Sequence, residues 1–145
     1  MKFKEFYNQN KSTFQIIIFL IILFSIVLPF ANKLTFKRKL IVFERGVYSI
    51  AHITDFRKEV RSWHYRYYFN FQGKTYKSRS YYTRIDLVVG KNYFLLIDPK
   101  YPDLNNILLQ PFPVPDSITE APPQGWKELP IPVEKEEIRK FLEEY

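Results

Sequence analysis

Residues 14–31 read FQIIIFLIILFSIVLPFA, and no other stretch of the chain limits its fold so tightly. Between Ile16 and Phe30 the one polar side chain is Ser25. An apolar run of about 16 residues makes a helix roughly 24 Å long, close to the lower limit for crossing hydrocarbon. Lipid offers no hydrogen bonds to the backbone, so a crossing segment must satisfy its own and form one continuous helix. Pro29 falls near the expected end of that helix, where a missing N–H does least damage. A cleaved secretory leader is the rival reading. The run is longer than the apolar region of most leaders, and its exit, Pro29-Phe30-Ala31-Asn32, lacks a small-x-small cleavage pattern. The sequence therefore predicts a basic amino-terminal tail over residues 1–13 and a retained transmembrane helix over 14–32.

Positive charge flanks the run on both sides. Lys2, Lys4 and Lys11 precede it, and Lys33, Lys37, Arg38 and Lys39 follow it. Counted strictly, the positive-inside rule leans toward a cytoplasmic body. A basic extreme amino terminus resists translocation, however, as in a signal anchor. The expectation is a single-pass protein of a bacterial inner membrane with its body on the extracytoplasmic side.

Residues 40–110 carry the period of a small β-domain. In WHYRYYFNFQGKTYKSRSYY, residues 63–82, the odd positions before the turn are Trp63, Tyr65, Tyr67, Phe69 and Phe71. The even positions between them are His64, Arg66, Tyr68 and Asn70. This alternation marks a half-buried strand. Gln72-Gly73 supplies a two-residue hairpin turn, and the return strand runs over 74–82. The turn fixes the register. One face then pairs Phe69 with Tyr76, Tyr67 with Ser78 and Trp63 with Tyr82, as an aromatic core layer. The other pairs Tyr68 with Lys77, Arg66 with Arg79 and His64 with Tyr81, as a basic outer face. Further strands are expected over 47–54, with 40–43 extending it or forming a short strand, over 92–97, and over 106–109 as an edge. Short strands with almost no helical signal between them predict a mainly β fold: a small antiparallel β-meander or a partly closed barrel.

The segments RGVYSIAHITDF, YYFNFQGKTYKS and VGKNYFLLIDPKYPDLNNILL resemble a group of uncharacterised bacterial single-pass membrane proteins of Bacteroidetes type. In that group a small β-domain ends in a strand followed by Asp-Pro-x-x-Pro, represented here by Asp98-Pro99-Lys100-Tyr101-Pro102. The tail VPDSITEAPPQGWKELP is similar to tails of small envelope proteins from such bacteria. The resemblance spans roughly residues 40–130 and implies an envelope location. It carries no catalytic residue with it.

Prolines recur through residues 111–132, which favours extended chain, either a linker or an arm laid across a surface with Trp126 as its anchor. Residues 133–145 read as a short C-terminal amphipathic helix. Ile138, Phe141, Leu142 and Tyr145 share one face, and Glu134, Glu136 and Glu137 crowd its amino end. So short a helix needs something to dock on. Trp126, Ile138, Phe141, Leu142 and Tyr145 are therefore candidate partner-docking residues, in cis or in trans.

Charge is unevenly distributed within the net +7. Between Arg57 and Arg84 lie Arg57, Lys58, Arg61, Arg66, Lys74, Lys77, Arg79 and Arg84 against Glu59 alone, whereas acids outnumber bases from Asp116 onward. A basic body suits an anionic surface or an acidic partner. The chain has no cysteine, which excludes disulfides, zinc–thiolate sites and cysteine nucleophiles. His52 and His64 sit inside expected strands. There is no metal-ligand spacing, phosphate loop or serine nucleophile motif, so neither catalysis nor a cofactor is expected. Nucleic-acid binding is the tempting reading of the aromatic, basic hairpin, yet most of its rings fall on the expected core side. The candidate contact surface is Arg66, Tyr68, Lys77, Arg79 and Tyr81. The functional expectation is a membrane-anchored, non-catalytic binding or assembly module, an accessory subunit of a bacterial envelope complex whose partners are the bilayer and other membrane or envelope proteins. The alternatives are an immunity-type protein that binds a membrane-targeted toxin, or a module for anionic lipid or nucleic acid. No small-x-x-x-small pattern in the helix points to helix–helix association, and nothing fixes an oligomeric state.

Overall fold

The computed structural model describes residues 10–60, 62–81 and 85–144, without the side chains of residues 30 and 32. The chain divides into two compact units, residues 1–38 and 39–145.

The first unit holds most of α1 (Lys11–Arg45). This helix is much longer than the predicted 14–32. No Gly or Pro interrupts residues 32–45, and helical geometry continues until Gly46. Pro29 consequently lies well inside the helix rather than near its end. Side chains from Ile16 to Leu28 are exposed all round. A helix with no polar face is unsuited to lying on a water-soluble core, and α1 is long and apolar enough to cross a membrane.

Residues 40–43, expected in a strand, form the last turns of α1 instead. Val42 is buried there and Phe43 half-buried against the second unit's own apolar cluster, so the stretch finds helical partners for its apolar side chains. Gly46 donates its N–H to the Val42 carbonyl at 2.7 Å, and a Cβ at this position would overlap that carbonyl.

The second unit is built on β1 (Val47–Lys58), β2 (Trp63–Phe71), β3 (Lys74–Tyr81), β4 (Asn92–Ile97) and β5 (Asn106–Pro113), followed by α2 (Lys135–Glu144). The strands form one antiparallel sheet in the order β3-β2-β1-β4-β5. β1 is central and is longer than expected, continuing past a register shift between Ile53 and Asp55. The chain does not simply meander: after edge strand β3 it crosses to the far side of β1, where β4 pairs with β1 and β5 with β4.

The sheet curls over its inner face. Tyr67 on β2 donates its hydroxyl to Asn106 Oδ1 on β5 at 2.7 Å. Buried Gln110 on β5 donates Nε2 to Ser80 Oγ at 3.1 Å and to the Tyr81 carbonyl at 3.3 Å, both on β3. The edges are thus clasped by side chains, but no ladder joins β3 to β5. The sheet is open, which corrects the partly closed barrel. Inside the curl lie Ala51, Ile53, Tyr65, Tyr67, Phe69, Phe71, Tyr93, Leu95, Ile97 and Leu108, with Leu87 added by the β3–β4 connection.

Trp63 departs from the expected aromatic layer. It sits at the first position of β2, 42% exposed. Its ring meets Phe56 edge-on at 5.6 Å, and Lys58 Nζ lies 4.7 Å from its centroid. The indole thus packs at the margin of the inner cluster, on Phe56 of the neighbouring β1. Its expected partner Tyr82 lies outside the described residues.

The opposite face of β1, β4 and β5 is covered by the tail. Tyr48, Ile50, Phe94, Leu96, Ile107 and Leu109 pack against Val42, Val114, Ile138 and Leu142. The Pro-rich segment is an arm, not a free linker. Tyr48 and Trp126 exchange backbone hydrogen bonds at 2.7 and 2.8 Å, and the Trp126 ring meets Phe94 edge-on at 6.2 Å. Gly125 has φ +73°, and a Cβ there would come within 2.8 Å of the Tyr48 carbonyl, so this crossing of backbones requires glycine.

Candidate functional site

The outer face of the β2–β3 hairpin is the part of the sheet that neither α2 nor the end of α1 covers. Gln72 at φ 50° and Gly73 at φ 73° make the two-residue turn. Both left-handed residues match the twist of the strands they join. The register is the one the turn predicts: His64 opposite Tyr81, Arg66 opposite Arg79, Tyr68 opposite Lys77 and Phe69 opposite Tyr76. Strand alternation sends Phe69, Tyr67 and Tyr65 inward, so Arg66, Lys77 and Arg79 project from the opposite side and all three are exposed.

Each candidate contact residue has a defined setting. Tyr68 is half-buried, stacked on His52 of β1 with ring centroids 4.6 Å apart and planes 19° apart. His52 is itself oriented by a 2.7 Å contact between Nδ1 and Asn92 Oδ1. Tyr68 is therefore a ring held in place by a second layer of polar contacts. Tyr81 is 60% exposed at the end of β3. Among the described residues no carboxylate lies within ion-pair distance of Arg66, Lys77 or Arg79. A depression of about 720 Å³ is lined by Thr54, Asp55, Arg66, Tyr68, Lys77 and Arg79. Its one carboxylate, Asp55, is turned to Arg57 at 2.7 Å. That hydrogen bond, more than the charges around it, holds the Asp55 carboxyl below the ordinary carboxylate range. The groove thus presents two guanidinium groups and an ammonium to solvent, with its acid occupied elsewhere. A second groove of about 580 Å³ shares Tyr68 and is of mixed character, with Asn70, Thr75, Thr119 and Glu120 beside Ile50 and Phe71.

His64 keeps its predicted register opposite Tyr81 on the outer face but is buried there. It is only 1% exposed, and its Nε2 has no hydrogen-bond partner. The nearest acid is Glu59, 3.6 Å away. Glu59 and Ser62 close the β1–β2 turn by a 2.7 Å backbone bond, which brings the Glu59 side chain over the ring. Sequence spacing gave no sign of this carboxylate, because the turn's geometry brings it there rather than strand periodicity. Asn92 was also missed, although a polar residue opening the apolar run NYFLLI is a signal.

Four residues of the other candidate set pack in cis. Ile138 and Leu142 are buried at 1% and 0% exposure in the outer cluster. Phe141 is half-buried and meets Phe112 edge-on at 6.5 Å, and Trp126 is half-buried on Phe94. These four pack on the chain's own sheet. Tyr145 lies outside the described residues. Comparison with family models, with curated proteins and with solved structures gives no match to this chain.

Proposed function

We propose that the protein is a membrane-anchored, non-catalytic binding module that engages an acidic partner protein through the β2–β3 face, as an accessory subunit of a bacterial envelope assembly. One observation carries the reading. The second unit covers its other sheet surface with its own arm and helix, yet leaves Arg66, Lys77 and Arg79 exposed around the fixed ring of Tyr68, with no acid paired to them among the described residues. Concentrated cations raise the energy of a compact domain by self-repulsion, and an anionic partner relieves that while steering association. α1 supports the membrane tether by its length and apolarity. The test is affinity purification of the full chain from detergent-solubilised membranes, as wild type and as the triple variant Arg66→Glu, Lys77→Glu, Arg79→Glu. Wild type should retain a specific acidic protein, and the variant should lose it by on the order of tenfold or more. Equal recovery by both overturns the reading. Retention by wild type of anionic vesicles alone would replace the protein partner with a lipid surface.

A further inference from the structure

The charged face borders an unpaired sheet edge. β3 is an outermost strand, bonded to β2 on one side only. The two-residue turn makes Phe71 and Lys74 a hydrogen-bonded pair, and antiparallel pairs then alternate along the ladder. Lys74, Tyr76, Ser78 and Ser80 therefore spend their backbone groups on β2. Thr75, Lys77, Arg79 and Tyr81 turn theirs outward. At Tyr81 the outward carbonyl is already taken by Gln110 Nε2 at 3.3 Å. Below that clasp, Thr75, Lys77 and Arg79 are exposed, and no backbone bond from them to another element occurs among the described residues.

We infer that this edge is where the acidic partner binds, by adding an extended acidic segment as a sixth strand beside β3. The inference rests on the proposed function above and specifies how the face is used. An added strand would satisfy the outward N–H and C=O groups of Thr75, Lys77 and Arg79, which gives affinity without reading sequence. Specificity comes from the outer face, where acidic side chains at alternate positions would stand beside Lys77 and Arg79 and within reach of Arg66. A second copy of this chain is a poor occupant of the same edge. Antiparallel pairing of two β3 strands centred on Ser78 sets Lys77 of each copy against Arg79 of the other, and like charges opposed across strands are unfavourable. The same cations that discourage self-pairing attract an acidic strand.

The experiment uses the full chain in detergent micelles and a blocked synthetic peptide of alternating glutamate and valine, about as long as the 8-residue β3. A lysine–valine peptide serves as the charge control. Binding should be salt-sensitive and confined to the acidic peptide. On binding, the amides of Thr75, Lys77 and Arg79 should exchange with solvent at least about tenfold more slowly, while those of Tyr76 and Ser78, already in the ladder, should change little. Lys77→Pro removes an outward N–H that β2 does not use, so the hairpin keeps its ladder, and peptide affinity should fall on the order of tenfold. Arg66→Glu, on β2 and away from the edge, separates the two claims. If it abolishes binding while Lys77→Pro has no effect and the three amides stay unprotected, the face binds but the edge does not, and the strand-addition inference is overturned. If neither variant nor the three amides respond, both readings fall. Slowed exchange at the same amides without peptide, accompanied by dimerisation, would overturn the inference in favour of a second copy. Because the exchange pattern is read in wild type, the outcome stands even if Lys77→Pro does not fold.

Discussion

The two apolar clusters lie on opposite sides of the same sheet and are closed in different ways. The inner one is made almost entirely by strands. β2 supplies Tyr65, Tyr67, Phe69 and Phe71, and curling of the sheet brings β5 over them, held by Gln110 and Tyr67. The outer one cannot be closed by curling, because it lies on the outside of the bend. It draws its cover from distant parts of the chain: Val42 before the sheet, Trp126 in the arm, and Ile138 and Leu142 in α2. Curvature thus makes one face self-sufficient and the other dependent on appended elements. The cover from α2 and the end of α1 stops short of the β2–β3 half; the arm reaches its turn, where the Gln72 N–H donates to the Pro123 carbonyl at 2.7 Å, and beyond the turn the surface is charged instead of apolar. The exposed basic face is the part of the outer surface that this scheme leaves uncovered.

If the inner cluster is the primary core, its loss should cost most. Phe69→Ala removes a ring with 0% exposure, between Tyr67 and the stacked Tyr76, and should destabilise the second unit by about 3–5 kcal/mol. Leu142→Ala, equally buried in the outer cluster, should cost about 2–4 kcal/mol, because α2 can shift toward the gap more readily than a strand held on both sides. Chemical denaturation of the full chain in micelles, followed by near-ultraviolet circular dichroism, measures both. A larger loss for Leu142→Ala would invert the ranking and make the tail, not the curl, the main source of stability.

The Gln110 clasp gives a sharper test of curling. Gln110→Leu keeps much of the volume but removes the amide donor to Ser80 Oγ and to the Tyr81 carbonyl. Leaving buried acceptors short of a donor should cost about 1–3 kcal/mol. Amide exchange should quicken at the β5 edge and at the upper end of β3, while the β1–β4 ladder stays slow. Unchanged exchange at those edges would mean that the inner cluster closes without the clasp. Gly125→Ala probes the outer cover at a comparable scale. Its φ of +73° and the 2.8 Å approach to the Tyr48 carbonyl predict a loss of about 1–3 kcal/mol and weaker quenching contacts around Trp126, read by tryptophan fluorescence.

The same asymmetry decides what could be read from the sequence. The inner cluster was legible because strand periodicity and a two-residue turn are local: once Gln72-Gly73 is recognised, every pair from Phe71–Lys74 to His64–Tyr81 follows. The outer cover was not, because nothing near Trp126 names Tyr48 as its partner. Residues 40–43 have a β-favouring composition, and tertiary contact through Val42 together with an unbroken helix before them settled the conformation otherwise. For the crossover from β3 to β4, sequence spacing fixed the strands but not their order. The exposure of Trp63 and the burial of His64 escaped the sequence pattern for one shared reason. Periodicity assumes that a strand is buried equally along its length, but the sheet ends there and the Glu59–Ser62 turn decides what is covered. The contact residues Arg66, Lys77 and Arg79 were legible as one face, whereas the His52–Asn92 support under Tyr68 and the arm beside it needed the assembled sheet.

The smallest expected effect lies on the uncovered face itself. The Asp55 carboxylate accepts a 2.7 Å hydrogen bond from Arg57 Nε, and both side chains are about half exposed. Arg57, through that bond first and its charge second, holds the Asp55 carboxyl below its ordinary value of 3.8, with Arg66 adding a smaller pull. A folded-state pKa below the unfolded one gives a contribution that is complete above the unfolded value and disappears as pH falls through the folded one. Water screens this pair in a way it cannot screen contacts under the arm. Carboxyl-carbon NMR of the folded chain should therefore find Asp55 titrating below 3.8 in wild type. In Arg57→Gln it should move up toward the ordinary range, with little change in the denaturation midpoint near neutral pH. Should Arg57→Gln instead unfold the domain to the degree expected of Leu142→Ala, the hairpin's outer surface would be as structural as the covered half. The contrast between a face closed by the chain and one left for a partner would then fail at its most exposed point.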